Sequence, residues 1–406
     1  MTTLPKRCRG LCCIPLVLAA VAILLLLLSQ QSARAALPVA RAEPLPFTAE
    51  SYAGVNERFG VGLSVGIPIT DAQSGIRRSA VITDYDVQAL HVGWYSDWST
   101  NQAPLRPGGI KYAQLIAVRA TEYPTNTLEL TETIAANPGS LWIVGNEPEA
   151  KYKQGKRTPR EYATIYHDMY TLIKALDPDA QVAIGGVVEP TPLRLKWLDW
   201  VLSEYESLYG QALPVDVWNI HVQILQEVAG TPADPEPWGA EVPAGLEDMV
   251  GMLYAPQDNA DPQIFQQLVT SFRQWMKAKG FQNKPLIVSE YGVLMPSDIL
   301  ADENVAVGDQ MVIRFMHTTF DFLLNARDPD LGYPADDGRL VQQWLWYSLN
   351  DRPFDGVRLG FNGSLFDHEN PGKMTKFGYA FRYYMHLLLD LPRVMLPAIG
   401  RRFASR

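Results

Sequence analysis

From about residue 57 onward, short apolar runs alternate with longer stretches in which apolar positions recur at helical spacing. This is the pattern of repeated β-α units around a parallel sheet. The spacing predicts eight strands, over 59–66, 90–95, 110–118, 141–145, 181–188, 215–222, 285–290 and 341–347. It predicts helices over 159–176, 192–208, 262–279 and 309–324, and a last one over 376–389. Pro159, Pro192 and Pro262 open three of these helices, while Asp177-Pro178 and Gly280 close two of them, which is ordinary helix punctuation. Eight strands with crossover helices in roughly 350 residues predict an α/β fold, a single (β/α)8 TIM barrel over 57–406. A doubly wound open sheet would carry a glycine-rich phosphate turn after an early strand. Gly60-Val61-Gly62 instead lies inside the first expected strand and lacks a third glycine at the needed offset.

The longest irregular stretch, about 226–261, holds several Pro and Gly residues together with Trp238 and Tyr254. A loop that long in a compact domain is usually functional. Following the sixth strand, it is expected on the catalytic face of a barrel, walling a substrate groove.

The N-terminus changes the picture of where such a domain works. Lys6, Arg7 and Arg9 precede an apolar stretch from Leu11 to Leu28, and Ala33-Arg34-Ala35 follows it. Residues 1–35 therefore read as an export signal or, if uncleaved, an N-terminal membrane anchor, and the protein is expected outside the cytoplasm. Residues 36–56, rich in Pro and Ala, read as a linker. Cys8, Cys12 and Cys13 all fall in the leader, so the remainder can form no disulfide and has no thiolate nucleophile. The whole chain has 35 Lys+Arg against 44 Asp+Glu. The leader contains four of the bases and none of the acids, so the body is more acidic still. Such a surface repels phosphate backbones, and no nucleic-acid partner is expected.

The chemistry begins at Leu141-Trp142-Ile143-Val144-Gly145-Asn146-Glu147-Pro148. An apolar strand ends there in two polar side chains and a proline that stops the ladder. The run Pro285-Leu286-Ile287-Val288-Ser289-Glu290-Tyr291-Gly292 repeats the design 143 residues later. By order these are strands four and seven, which face each other across a barrel mouth. Cleavage of a glycosidic bond with retention needs one carboxylic acid to protonate the leaving oxygen and one carboxylate to attack the anomeric carbon, about 5 to 5.5 Å apart.

At these residues the sequence resembles the clan A glycoside hydrolases, the barrel superfamily that includes cellulase-like and β-xylosidase-like enzymes. The resemblance covers nearly the whole chain after the leader in element order. It implies that Glu147 is the general acid/base, Glu290 the nucleophile, and Asn146 a hydrogen-bond partner of the sugar 2-hydroxyl. It also implies an aromatic floor at the end of strand eight, for which Trp346 is the choice. His221, on strand six beside Asn219, stands where the clan carries a residue that hydrogen-bonds the nucleophile, and Tyr291 could do the same. Trp94 and Trp98 are candidate platforms for outer sugar subsites. Several clan families place an arginine near the end of strand two; none stands here, and Arg119 after strand three is the nearest.

The resulting expectation is a retaining O-glycosyl hydrolase acting on a neutral oligo- or polysaccharide, with no cofactor and no metal. Its six histidines show no His-x-His or His-x-x-x-His spacing. The alternatives are a non-catalytic carbohydrate-binding barrel at the cell surface and a transglycosylase using the same two acids. The sugar, the linkage and the oligomeric state are not written in the sequence.

Overall fold

In the computed structural model, residue 52 and residues 54–390 are described, apart from 71–73, 124, 152–153, 236–237 and 355–359. The expected leader and most of the expected linker lie outside the described residues. No helix among the described residues is long and apolar enough to cross a membrane.

Among the described residues, nine short strands run in parallel in two sheets. The larger contains β1 (Phe59–Gly62), β4 (Trp94–Ser96), β5 (Lys111–Tyr112), β9 (Trp218–Val222), β10 (Leu286–Tyr291) and β11 (Gln343–Trp346), ordered β5-β4-β1-β11-β10-β9. The smaller is β6 (Gln114–Ile116), β7 (Leu141–Asn146) and β8 (Gln181–Gly186), with β7 central. Only Ala113 separates β5 from β6, and isolated parallel bridges join Ala183 to Val217 and Val187 to Ile220, between β8 and β9. A small antiparallel hairpin, β2 (Pro68–Thr70) with β3 (Arg77–Ser79), stands outside both sheets. Its exposed polar residues gave no strand signal in the sequence.

Both faces of the parallel strands are buried, as the near-continuous apolar runs require. One face of the strands supplies a small apolar cluster that includes Trp94, Leu115, Ile143, Ala183, Ile287 and Leu345. The opposite face, with Val61, Trp142, Val144, Ile220, Val288 and Trp346, joins the large core packed against the helices. Those helices are α1 (Thr127–Ala136), α2 (Pro159–Leu176), α3 (Pro192–Tyr209), α4 (Pro262–Ala278), α5 (Ser297–Leu300), α6 (Val305–Asn325) and α7 (Lys376–Leu388). The apolar stripe of α4, Phe265, Leu268, Val269, Phe272 and Met276, falls at the i, i+3, i+4, i+7 spacing and is buried. Each such side chain contributes roughly 1.5 to 3 kcal/mol by leaving water. Thr158 and Glu161 close a capping box on α2, and Pro159 occupies its first turn.

The sequence did not point to α1. Leu130, Thr133 and Ile134 are its buried residues, too few to give a strong period. Its legible signal is Asn126, whose side chain accepts from the amides of Leu128 and Glu129 as an N-cap.

Candidate active site

The end of β7 delivers the first acid through backbone that most residues avoid. Gly145 has φ 97°, and Glu147 sits at φ 42°, in the left-handed region. The amide of Glu147 still reaches Gly186 O at 3.0 Å, and Pro148 then ends the pairing. A non-glycine residue held there stores strain of order 1 to 3 kcal/mol, which is common where a side chain must be aimed.

The second acid arrives by another device. The register of β10 against β9 shifts between Val288 and Glu290, a bulge. A bulge breaks the simple alternation of faces. The side chain of Ser289 therefore meets His221, and that of the very next residue, Glu290, meets Gln223.

The two acids converge. One carboxylate oxygen of each and a ring nitrogen of His221 all lie within 4.8 Å of one another. His221 is buried on β9, with Nδ1 3.1 Å from Oε1 of Glu147 and 3.8 Å from Oε2 of Glu290. Its Nε2 lies 3.1 Å from Ser289 Oγ. Gly186 makes room for this ring, since a Cβ there would stand 2.5 Å from His221 Cδ2. Gln223 donates from Nε2 to Oε1 of Glu290 at 2.7 Å. Gln223 is in turn fixed by Asn259, whose Nδ2 donates to its carbonyl at 2.6 Å.

Burial pushes the Glu290 carboxyl up to about 7; His221 pulls it down, Glu147 raises it, and a hydrogen bond from Trp98 lowers it. For His221, burial opposes the imidazolium, but Glu290 and Glu147 outweigh it and the ring titrates above its ordinary value. Glu290 and His221 thus bias each other's protonation inside one buried pocket.

Around them lies a cleft of about 490 Å³ lined by, among others, Trp98, Asn146, Gln154, Glu290, Tyr347 and Phe361. Asn146 donates from Nδ2 to Gln154 Oε1 at 3.1 Å, and its own Oδ1 has no protein partner. Tyr347 packs edge-on against Trp98 and Phe361, with ring centres 5.2 and 4.6 Å away, and its hydroxyl donates to Asp351 at 2.5 Å. Gly62 is required below Trp98, where a Cβ would come within 2.4 Å of the ring.

Glu147, Glu290, Asn146 and His221 are therefore brought together, whereas three other expected site residues are not. Trp346 is fully buried on the helix side, where its indole donates to Gly363 O at 2.9 Å. The alternation along β11 was read correctly, but Leu345 is the residue that faces the inner cluster, so the aromatic at the cleft is Tyr347. Tyr291 likewise faces the helices, against Phe265, Phe315 and Trp346. Trp94 is buried one turn of chain too early, over Gly60, while Trp98 reaches the cleft. The hydrogen bond of His221 goes to Glu147; Gln223 holds Glu290 instead. Arg119 lines the cleft, but its guanidinium is bonded to Glu122 and Gln154.

Sequence reading missed Gln223, Gln154 and Tyr347. For Tyr347 the alternation on β11 set it opposite Trp346 without saying which side faces the cleft; the glutamines gave no signal. No Gly-x-Ser-x-Gly elbow was expected from the sequence, yet that spelling does occur at Gly62-Leu63-Ser64-Val65-Gly66. Ser64 Oγ lies 3.3 Å from the Tyr347 hydroxyl, with Asp351 nearby and no histidine bonded to it among the described residues, so the spelling is not built as a nucleophile elbow.

No family model matches the sequence, and no curated protein matches it. Solved structures similar to the chain include glycoside hydrolases and an oligosaccharide-binding protein. A monomeric β-xylosidase from Caulobacter crescentus CB15 shares 15% identity at a TM-score of 0.48, over 80% of this chain and 67% of its own. A glucosidase from Croceicoccus marinus shares 13% at 0.45, over 73% of this chain and 62% of its own. A GH128 (subgroup VII) oligosaccharide-binding protein from Trichoderma gamsii shares 12% at 0.43, over 82% and 95%. The chain thus spans less than two thirds of the length of the glucosidase.

Proposed function

We propose that the chain is a retaining glycoside hydrolase that cleaves O-glycosidic bonds of a neutral oligo- or polysaccharide by double displacement. The observation that carries this reading is the approach of one carboxylate oxygen of Glu147 to one of Glu290, within 4.8 Å, where Glu290 lines an aromatic-walled cleft. An approach of the nearest oxygens to within that distance supports the close pairing of a retaining enzyme, about 5 to 5.5 Å between carboxyl groups, over the about 6.5 to 9.5 Å of an inverting one. Glu290 attacks the anomeric carbon, while Glu147 donates its proton to the departing oxygen and later takes one from water. His221 orients Glu147 and lends positive charge to both acids. Gln223 and Trp98 hold Glu290 in place and favour its ionised form. Asn146 offers its free Oδ1 to a sugar hydroxyl, a bond that strengthens as the ring flattens.

The same reading takes residues 57–406 as one domain and the two parallel sheets as one (β/α)8 barrel. The single-residue gap at Ala113 and the bridges between β8 and β9 support it. Export and attachment by the N-terminal segment belong to this proposal as well.

A panel of aryl glycosides and polysaccharides, assayed on wild type and on Glu290→Gln, tests it. The reading expects hydrolysis of at least one substrate, a product of retained configuration by NMR, and loss of turnover in the variant. An inverted product, or turnover unchanged in Glu290→Gln, contradicts it. Sugar binding without turnover points to the binding-protein alternative.

A further inference from the structure

Two residues beyond Glu147, the chain enters a buried ionic cluster that the proposed reaction does not use. Glu149, Glu189, Arg194 and Glu227 are each at most 1% exposed, three acids around one base. Arg194, in the first turn of α3, donates from Nε to Glu149 Oε1 at 2.9 Å, from Nη1 to Glu227 Oε1, and from Nη2 to Glu241 O at 2.8 Å. One planar guanidinium thereby holds three places at once: the turn that follows Glu147, and two points of the long segment 226–255.

The other bonds repeat this connection. The amide of Ala244 donates to Glu149 O at 2.9 Å, and the indole of Trp197 on α3 donates to Ala244 O at 3.1 Å. Glu227 accepts from the amide of Met252 at 2.7 Å and donates its own amide to Met252 O at 2.7 Å. Gly251 is needed where the two ends of this loop meet, because a Cβ there would lie 2.2 Å from that of Glu227. Val188, at the end of β8, donates to Glu149 Oε1 at 2.8 Å.

Burial offsets part of the excess negative charge by favouring the neutral acids, Glu149 among them. Glu149 Oε2 and Glu189 Oε1 have no protein partner. Burial pushes the Glu189 carboxyl up to about 8, with Arg194 lowering it and Glu227 and Glu149 raising it further, so it is largely protonated at neutral pH. Removing one partner of such a buried set leaves the others uncompensated. The cluster is also felt at the site, since the charge of Glu149 helps to raise the His221 titration.

We propose that Arg194 is a positioning residue that locks the segment 226–255 onto the turn carrying Glu147, so that seating of this wall and aim of the acid/base are one event. The kinetic part of this proposal rests on the glycosidase reading above.

The experiment uses the full chain with Arg194→Lys and Arg194→Met. Lys keeps the charge but lacks the fork that reaches three partners, so it remains informative if Met does not fold. Hydrogen exchange is expected to quicken together in peptides covering 226–255 and 146–157 in either variant. Loosening of only one segment, or of neither, overturns the proposal. In kinetics, a misaimed acid costs most where the leaving group needs its proton. The kcat/KM of Arg194→Lys is expected to fall about 10-fold or more with phenyl glycosides relative to 2,4-dinitrophenyl glycosides. Equal losses on both substrates mean a merely structural role and overturn it. If wild type turns over no glycoside at all, the glycosidase reading fails, and the exchange measurement still decides whether the two segments are locked together.

Discussion

His221 Nδ1 lies 3.1 Å from Oε1 of Glu147, closer than its 3.8 Å approach to Glu290. The imidazole is therefore the partner of the proposed acid/base and only an electrostatic neighbour of the proposed nucleophile. Its far nitrogen is occupied by Ser289, so the ring cannot turn away without breaking a second bond.

Replacing His221 should therefore affect proton delivery. His221→Gln removes both the bond to Glu147 and the positive charge between two buried acids. Measured above the acid limb, kcat/KM should fall by about 10² with phenyl-type leaving groups and by much less with 2,4-dinitrophenyl, while loss of the imidazole moves the Glu290 limb itself to higher pH. Steady-state kinetics on the two substrates checks this.

The pH profile should follow Glu290. Attack requires the carboxylate, and burial lifts this group to about 7, so kcat/KM should rise with pH along an acid limb centred near that value. Trp98→Phe keeps a ring in the cleft but removes the donor that favours the ionised form. The acid limb should then move to higher pH, and Gln223→Met should move it the same way.

The same shift fixes a sign for stability. The folded Glu290 binds its proton more tightly than an unfolded glutamate, whose pKa is 4.5. Its contribution to stability is complete below that pH, is lost as pH rises to about 7, and is constant above. Glu290→Gln, which cannot ionise, should be inactive yet gain stability relative to wild type as pH rises from 4 to 8. Urea denaturation at pH 4 and pH 8 measures it, and the gain should be largely absent at pH 4.

Much of this site could be read in the sequence because its chemistry sits at strand ends. Asn146-Glu147-Pro148 marks a terminating apolar run, and the eight expected strands overlap the parallel strands observed, with most boundaries trimmed by a few residues. What escaped depends on backbone detail that residue types do not announce. The bulge at Ser289-Glu290 brings two consecutive side chains to the site, which a strict two-residue period forbids. The side of β11 that faces the cleft could not be chosen from an alternation that fits either side, and so Trp346 was preferred to Tyr347. Gln223 and Asn259 are ordinary polar residues in sequence and become supports only when β9 and the end of the long loop meet.

The correction at β11 gives a paired test. Tyr347→Ala opens the cleft beside Trp98 and should raise KM several-fold, with a modest change in melting temperature. Trp346→Ala instead excavates the helix-side core and should destabilise the fold by about 3 to 5 kcal/mol, leaving the KM of the surviving folded fraction near that of wild type. Thermal melts combined with kinetics separate the two.

The central claim is that Glu290 becomes bonded to the sugar. Incubation with a 2-deoxy-2-fluoro glycosyl fluoride of the hydrolysed sugar, followed by proteolysis and mass spectrometry of the peptides, tests this directly. The account predicts one equivalent of fluorosugar on the peptide containing Glu290, and none in Glu290→Gln. A label on another residue, or complete turnover of the cognate substrate by an enzyme that never accumulates a label, would contradict it.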